Sequence, residues 1–353
     1  MGPAKPVNRR DFLKNTLGLA AAATAFCASG CASGCAAEEA RSNLETGPEP
    51  KASKRNLKHP VVVVARDPGV ANGWEVDEDR LRALLSRAMR ALRGSTDARE
   101  VWRSLYAPRD RVGLKVNALA GIPAVTHPEL AFAVADSLRG IGIERKNIIL
   151  WDRTGTDLRR GGYTLNEAGS DYRCFGTDAR GVGYESDHVF CGKVGSRLSR
   201  VLTALTTAQV NMPILKDHGL AGVSGALKNW YGAIHNPNKY HGNNCDPWVA
   251  DVHALPEVRG KSRLVICDAL YGLCHGGPGF KKRWAWNFGG ILVGTDPVAV
   301  DRIEWAIIEE RRAEVGLKPL IEEGRPPKWL DTASDSDHNL GVCNLQEIER
   351  IDV

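Results

Sequence analysis

The chain has 353 residues and a formal net charge of +5. In its first 37 residues, Lys5, Arg9, Arg10 and Lys14 against Asp11 make +3 of that, so the rest is near +2 and offers no nucleic-acid surface. The chain beyond this segment is long enough for one large α/β core.

Residues 1–37 read as an export signal rather than as fold. Asn8-Arg9-Arg10-Asp11-Phe12-Leu13-Lys14 precedes an apolar run from Leu17 to Phe26, the pattern of a twin-arginine signal. The run falls short of the roughly 20 residues a membrane-spanning helix needs. Cleavage near Cys35-Ala36-Ala37 and export to the periplasm or cell envelope are expected, with the twin-arginine export machinery as a partner. Cys27, Cys31 and Cys35 leave a lipid anchor to the membrane open: small residues precede each, but no leucine stands three positions before Cys31 or Cys35. Residues 38–58 are polar with Pro and Gly and read as a flexible linker. An α/β domain is expected over 59–353. Its six cysteines, Cys174, Cys191, Cys245, Cys267, Cys274 and Cys343, form no CxxC pair; an exported protein can join such residues as disulfides.

Within that domain, Pro60–Ala65 is a β-branched run and predicts a first strand. Leu81, Leu84, Leu85, Ala88 and Leu92 recur at helical spacing over 77–92. Val112–Asn117 predicts a strand with a polar end. Thr126-His127-Pro128-Glu129 opens a helix reaching Arg139. Lys146–Asp152 is a third strand, with a polar loop after it. Residues 156–196 are polar and glycine-rich, and read as an irregular insertion or lid with one short strand near Tyr172–Phe175. Ala208–Leu215 predicts a buried strand, with Lys216-Asp217-His218 just beyond its end. Gly219–Gly225 then forms a glycine-rich loop and Ala226–Ile234 a short helix. Arg263–Asp268 and Gly290–Asp296 are further strands. Pro297 starts a helix to about Arg312, capped by Asp296, and 326–344 looks irregular, with a final short helix or strand to Val353. Strands alternating with helices predict a three-layer α/β fold, a mainly parallel sheet with helices on both faces.

In a parallel sheet the polar strand ends share one edge, where ligands bind if strand order reverses. Lys115, Asn117, His218, Lys228, Asn229 and Asp268 are therefore expected to line one cleft. Lys115 and Lys228 would hold an anion, since a lysine near the end of a buried strand needs a carboxylate or a ligand. Gly219, Gly222 and Gly225 would let backbone N–H groups approach that anion. His218, with Asp217 or Asp268 near it, would act as acid/base or metal ligand. His218, His235 and His241 are candidate metal ligands, although their spacings of 17 and 6 match no standard zinc pattern. P-loop, GxSxG, HExxH and GxGxxG motifs are absent.

Val112-Gly-Leu-Lys-Val-Asn117, Thr126-His127-Pro128-Glu129, Leu215-Lys216-Asp217-His218, Gly225-Ala-Leu-Lys-Asn-Trp-Tyr-Gly232, Asp268-Ala269 with Gly277-Pro278, and Val293-Gly-Thr-Asp-Pro-Val-Ala-Val-Asp301 occur in that order. Together they resemble the domain-of-unknown-function 362 (DUF362) family over roughly residues 60–310. The resemblance implies no settled activity. Some members carry ferredoxin-type iron–sulfur modules, whose cysteine runs this chain lacks. The family is also distantly similar to the lactate racemase group, which uses a nickel-pincer cofactor and paired histidines; those ligands have no residue-by-residue counterpart here. Two function classes stay open. One is an exported enzyme acting on a small anionic, carboxylate-type substrate with a metal ion or metal-containing cofactor. The other is a solute-binding or scaffold protein of the envelope that uses the same cleft without chemistry.

Overall fold

The strands and helices track the apolar periodicity closely at the start of the domain. Val61–Arg66 (β1) sends Val62 and Val64 into one core and Val61, Val63 and Ala65 into the other. A strand buried on both faces reads as an unbroken apolar run. The computed structural model describes residues 59–353 apart from Gly73, within one compact unit. The expected export signal of 1–37 and the expected linker of 38–58 lie outside the described residues.

A small hairpin of Ala71–Asn72 (β2) and Glu75–Val76 (β3) leads to Glu78–Arg93 (α1). The Asp77 side chain accepts from Arg80 N at the start of this helix, and Gly94 ends it at φ 62°. Then come Ala98–Leu105 (α2), Val112–Lys115 (β4), Pro128–Gly140 (α3), Ile148–Asp152 (β5), Gly155–Arg160 (α4) and Arg173–Gly176 (β6). Val189–Cys191 (β7) and Val194–Ser196 (β8) form a separate hairpin. Next in the chain are Ala208–Asn211 (β9), Ile214–His218 (β10), Gly222–Val223 (β11), Gly225–Asn229 (α5), Trp248–Ala254 (α6) and Pro256–Lys261 (α7). Ser262–Leu273 (β12), Ala285–Gly294 (β13), Pro297–Glu314 (α8), Trp329–Ser334 (α9) and Glu349–Asp352 (β14) complete the chain.

Among the described residues the main sheet runs β14-β1-β13-β12-β9-β4-β5-β6, with β10 attached at β12 and β11 paired with β10. β13 is antiparallel to β1 and to β12; β10, β9, β4, β5 and β6 run parallel with β12. Helices α1, α2 and α3 pack one face, and α5, α6, α8 and α9 the other. The fold is the expected three-layer α/β arrangement with a mostly parallel sheet.

Some expectations change. The predicted strand Ala208–Leu215 is two strands, broken at Met212-Pro213, where Pro213 O accepts from Asp268 N. Lys216, Asp217 and His218 lie inside β10 rather than beyond it. The segment 156–196 is less irregular than its composition implies. It holds most of α4, and β6 pairs with β5 as the edge of the main sheet. The tail expected to be irregular over 326–344 holds α9, whereas the short terminal element expected before Val353 is present as β14, paired with β1. All six cysteines of the described residues are free thiols. Among the described residues no helix is long and apolar enough to cross a membrane.

Candidate functional site

The cleft sits where strand order reverses. From β4 the chain moves outward to β5 and then β6, and it returns to the other side of β4 as β9. Ligands of open α/β sheets bind beyond the carboxyl ends at such a point. There Lys115 of β4 stands between Trp151 of β5 and Asn211 of β9 in register. The cleft has a volume of ≈ 530 Å³, within the range of small-molecule sites. Lys115, Asn117, His218, Lys228 and Asn229 all line it, joined by Lys216, Asp152, Arg153, Asp157, Tyr231 and His241.

Strand alternation decides which residues of β10 take part. Successive side chains of a strand point to opposite faces. Lys216 and His218 enter the cleft, while Asp217 turns away to Arg325, which also donates to the carbonyl of His218. Asp217 therefore does not serve His218. Lys216 was legible as the residue two positions before His218, on the same face.

The three lysines differ in what they touch. Lys115 Nζ donates to Asp152 Oδ1 and to Val116 O, both at 2.7 Å. Its charge is satisfied by the protein, so it supports the site rather than holding the anion expected of it. Lys216 Nζ donates to Asn117 Oδ1 at 3.0 Å, and Lys228 Nζ lies 3.2 Å from His241 Nε2. No carboxylate forms an ion pair with either of these two among the described residues. Burial, then the charge of Lys228, pulls Lys216 down to about 8. Burial pulls Lys228 down to about 8 as well. Four cationic side chains of the lining, Lys115, Arg153, Lys216 and Lys228, face two carboxylates, Asp152 and Asp157, a net of +2.

An amide ladder fixes this geometry. Asn117 Nδ2 donates to Asn229 Oδ1 at 3.1 Å. Asn229 Nδ2 donates to Asn211 Oδ1 at 2.8 Å and to Lys115 O at 3.1 Å. Asn117 and Asn229 thus set the position of Lys216. Gly232 admits the Lys115–Asp152 pair closely: a Cβ there would lie 2.8 Å from Asp152 Oδ1 and 2.9 Å from Lys115 Nζ.

His218 Nδ1 accepts from Leu220 N at 3.2 Å and Ala221 N at 3.1 Å. With its lone pair so used, the neutral ring carries its proton on Nε2. Burial, then Lys228 and His241, pushes this histidine far down, to about 2, so it stays neutral. His241 stacks on His218 with centroids 5.7 Å apart, and burial and Lys228 lower it too.

Four sequence expectations are corrected. Asp268 is not in the cleft. β12 continues five residues past it, so it lies mid-strand, accepting from His127 N at 2.7 Å and meeting His127 Nδ1 at 2.8 Å at the start of α3. Gly222 and Gly225 do not face a ligand. A Cβ on Gly222 would lie 2.6 Å from Arg325 O, and one on Gly225 would lie 2.5 Å from Asp301 Oδ2. The amides of Ala226 and Leu227 are already taken by the carboxylate of Asp301, so the chain supplies its own anion at that turn. The three histidines do not assemble. His235 packs on Tyr184 and His188, and its Nδ1 accepts from Arg197 N. No group of three or more His, Cys, Asp or Glu side chains among the described residues is placed to hold a metal ion.

The residues present do not fit a cofactor metal held by paired histidines. Ligation through His218 Nε2 would move the ring proton to Nδ1, against two backbone N–H donors. His241 Nε2 faces the Lys228 ammonium.

Fold and site together define an α/β protein with a buried cationic cleft at its topological switch point. A family model described as "Domain of unknown function (DUF362)" matches residues 112–306, and the chain belongs to that family. No curated protein matches the sequence. Among solved structures, the chain is similar to a Thermotoga maritima protein whose crystal structure was a Northeast Structural Genomics Consortium target. The TM-score is 0.40 at 10% identity, covering 69% of this chain. The chain spans 60% of that protein.

Proposed function

We propose that the protein is an exported enzyme acting on a small carboxylate-type anion, which it holds in this cleft between Lys216 and Lys228. The observation that carries the reading is the pair of buried ammoniums without a carboxylate. Charge removed from water is costly unless an opposite charge meets it, and a bound anion would supply that charge. Neutral His218 would donate its Nε2 proton to a ligand oxygen, and Asn117 and Asn229 would hold Lys216 in place. The export part of the proposal rests on Arg9-Arg10 and the apolar run 17–26.

Calorimetric titration with a panel of small mono- and dicarboxylates tests the binding. Lys216→Met and Lys228→Met should each weaken the best ligand at least tenfold, about 1.4 kcal/mol. Unchanged affinity in both variants would sink the anion site. Proton NMR of the protein with that ligand separates enzyme from solute-binding protein: a ligand recovered unchanged favours the binder. Arg9→Lys with Arg10→Lys should keep the protein in the cytoplasm, read by cell fractionation. Arrival of the double variant in the envelope would remove the twin-arginine reading.

A further inference from the structure

The lysines of the cleft are separated by the chemistry of their partners. Lys115 is neutralised by Asp152. Lys216 meets an amide oxygen, which accepts a hydrogen bond but is far too weak a base to take the proton. Lys228 alone meets a base. The Nδ1 of His241 lies 3.0 Å from Pro237 O, and a carbonyl only accepts, so Nδ1 carries the ring proton. Nε2 then turns its lone pair to the Lys228 ammonium. That contact is a route from ammonium to free amine inside the cleft.

We infer that Lys228 is a nucleophile that forms an imine with the carbonyl carbon of a 2-oxo carboxylate, whose acid group is held by Lys216. This deepens the anion reading of the same cleft and rests on it. Lys216 suits the acid end, because its charge has only a neutral partner and lies close enough to Lys228 to be depressed by it. The Tyr231 ring, 4.6 Å from Lys228 Nζ, walls the nucleophile on one side.

The step balances without an outside oxidant or reductant. Lys228 passes a proton to His241 Nε2, and the freed lone pair adds to the carbonyl carbon. The C=O electron pair moves to oxygen, which takes the proton back from His241. The nitrogen, now a secondary ammonium, gives one of its protons to Nε2. The C–O bond breaks as the hydroxyl takes that proton and leaves as water. The nitrogen lone pair completes C=N, leaving a protonated imine and a neutral imidazole. Burial helps twice. It lowers the ammonium of Lys228 to about 8, so a usable fraction is free amine near neutrality, and it keeps His241 in the accepting form.

The test is reductive trapping on the full chain with pyruvate and sodium cyanoborohydride, read by intact mass and peptide mapping. The expected result is one reduced adduct per chain, on Lys228, saturating with pyruvate and suppressed by propionate, which has the acid but no carbonyl. Lys216→Met should still label at Lys228 but require on the order of tenfold more pyruvate. Adducts on Lys216 or scattered over surface lysines would overturn the proposal. So would no adduct while propionate still binds by calorimetry, an outcome that leaves the anion site standing. If neither an adduct nor binding of any carboxylate of the calorimetric panel is seen, both readings fall. The wild-type map carries the decision, so a Lys228 variant that failed to fold would not blur it.

Discussion

Removing the buried charge of Lys216 should make the protein more stable. The ammonium falls from 10.5 to about 8 on folding, and burial is the leading cause. A folded pKa below the unfolded one means that the unfolded chain binds the extra proton. Stability therefore rises with pH between about 8 and 10.5, and below that window the full penalty of charged Lys216 is present. That penalty is about 3 kcal/mol at neutral pH. Lys216→Met would remove it and lose the hydrogen bond to Asn117, worth about 1 kcal/mol. The net gain is about 2 kcal/mol, or roughly 5 °C in Tm for a domain of this size. Urea unfolding of wild type and variant, near pH 7 and again at about pH 10, measures it. The gain should shrink at the higher pH, where wild-type Lys216 is neutral. A variant less stable near neutrality would refute the reasoning and show that Lys216 has a structural anionic partner; a gain indifferent to pH would refute it by showing that the ammonium is not depressed on folding.

Gly225→Ala should destabilise by about 3 kcal/mol, since the residue is held at φ 60° and its new Cβ would press on the Asp301 carboxylate. Unchanged thermal unfolding would show that the turn relaxes freely. For the buried His127–Asp268 pair, burial opposes the charge on His127, but Asp268 outweighs it and the histidine is raised. Its contribution is thus full below the ordinary histidine value of about 6.5 and fades as pH rises through the folded value. Asp268→Asn should cost about 3 kcal/mol near pH 5.5 and clearly less near pH 8.5, by urea midpoints; equal losses at both would mean that His127 is not charged in the folded protein.

Where one element's own residues decide the outcome, the sequence was a good guide. The two-sided apolar run of β1, the leucine spacing of α1, Pro128 at the start of α3 and the Asp296 cap of α8 all depend on near neighbours in the chain. Lys115, Asn117 and His218 share the cleft because parallel strand ends meet at one edge, and Lys228 and Asn229 join them from α5. The hidden features were set by distant partners. Lys115 looked free because Asp152 is 37 positions away. The glycine loop looked like an anion cradle because Asp301 comes from α8, 75 positions beyond Ala226. Asp268 looked like a strand end because the length of β12 is fixed by its pairing with β13.

The Asp217–Arg325 pair also bears on where this protein can be cut. Asp217 is fully buried and lies within the matched segment 112–306; its counter-charge stands at 325, outside that segment. β13 likewise loses its neighbour β1 if the chain is trimmed to the match, since β1 and the β14 strand paired with it are both cut away. A trimmed version would carry an uncompensated interior carboxylate directly behind His218 and an open sheet edge ready to pair with another molecule. For a graft or fusion, the first strand at Val61–Arg66 and the arginine at 325 therefore travel with the cleft as one inheritable piece.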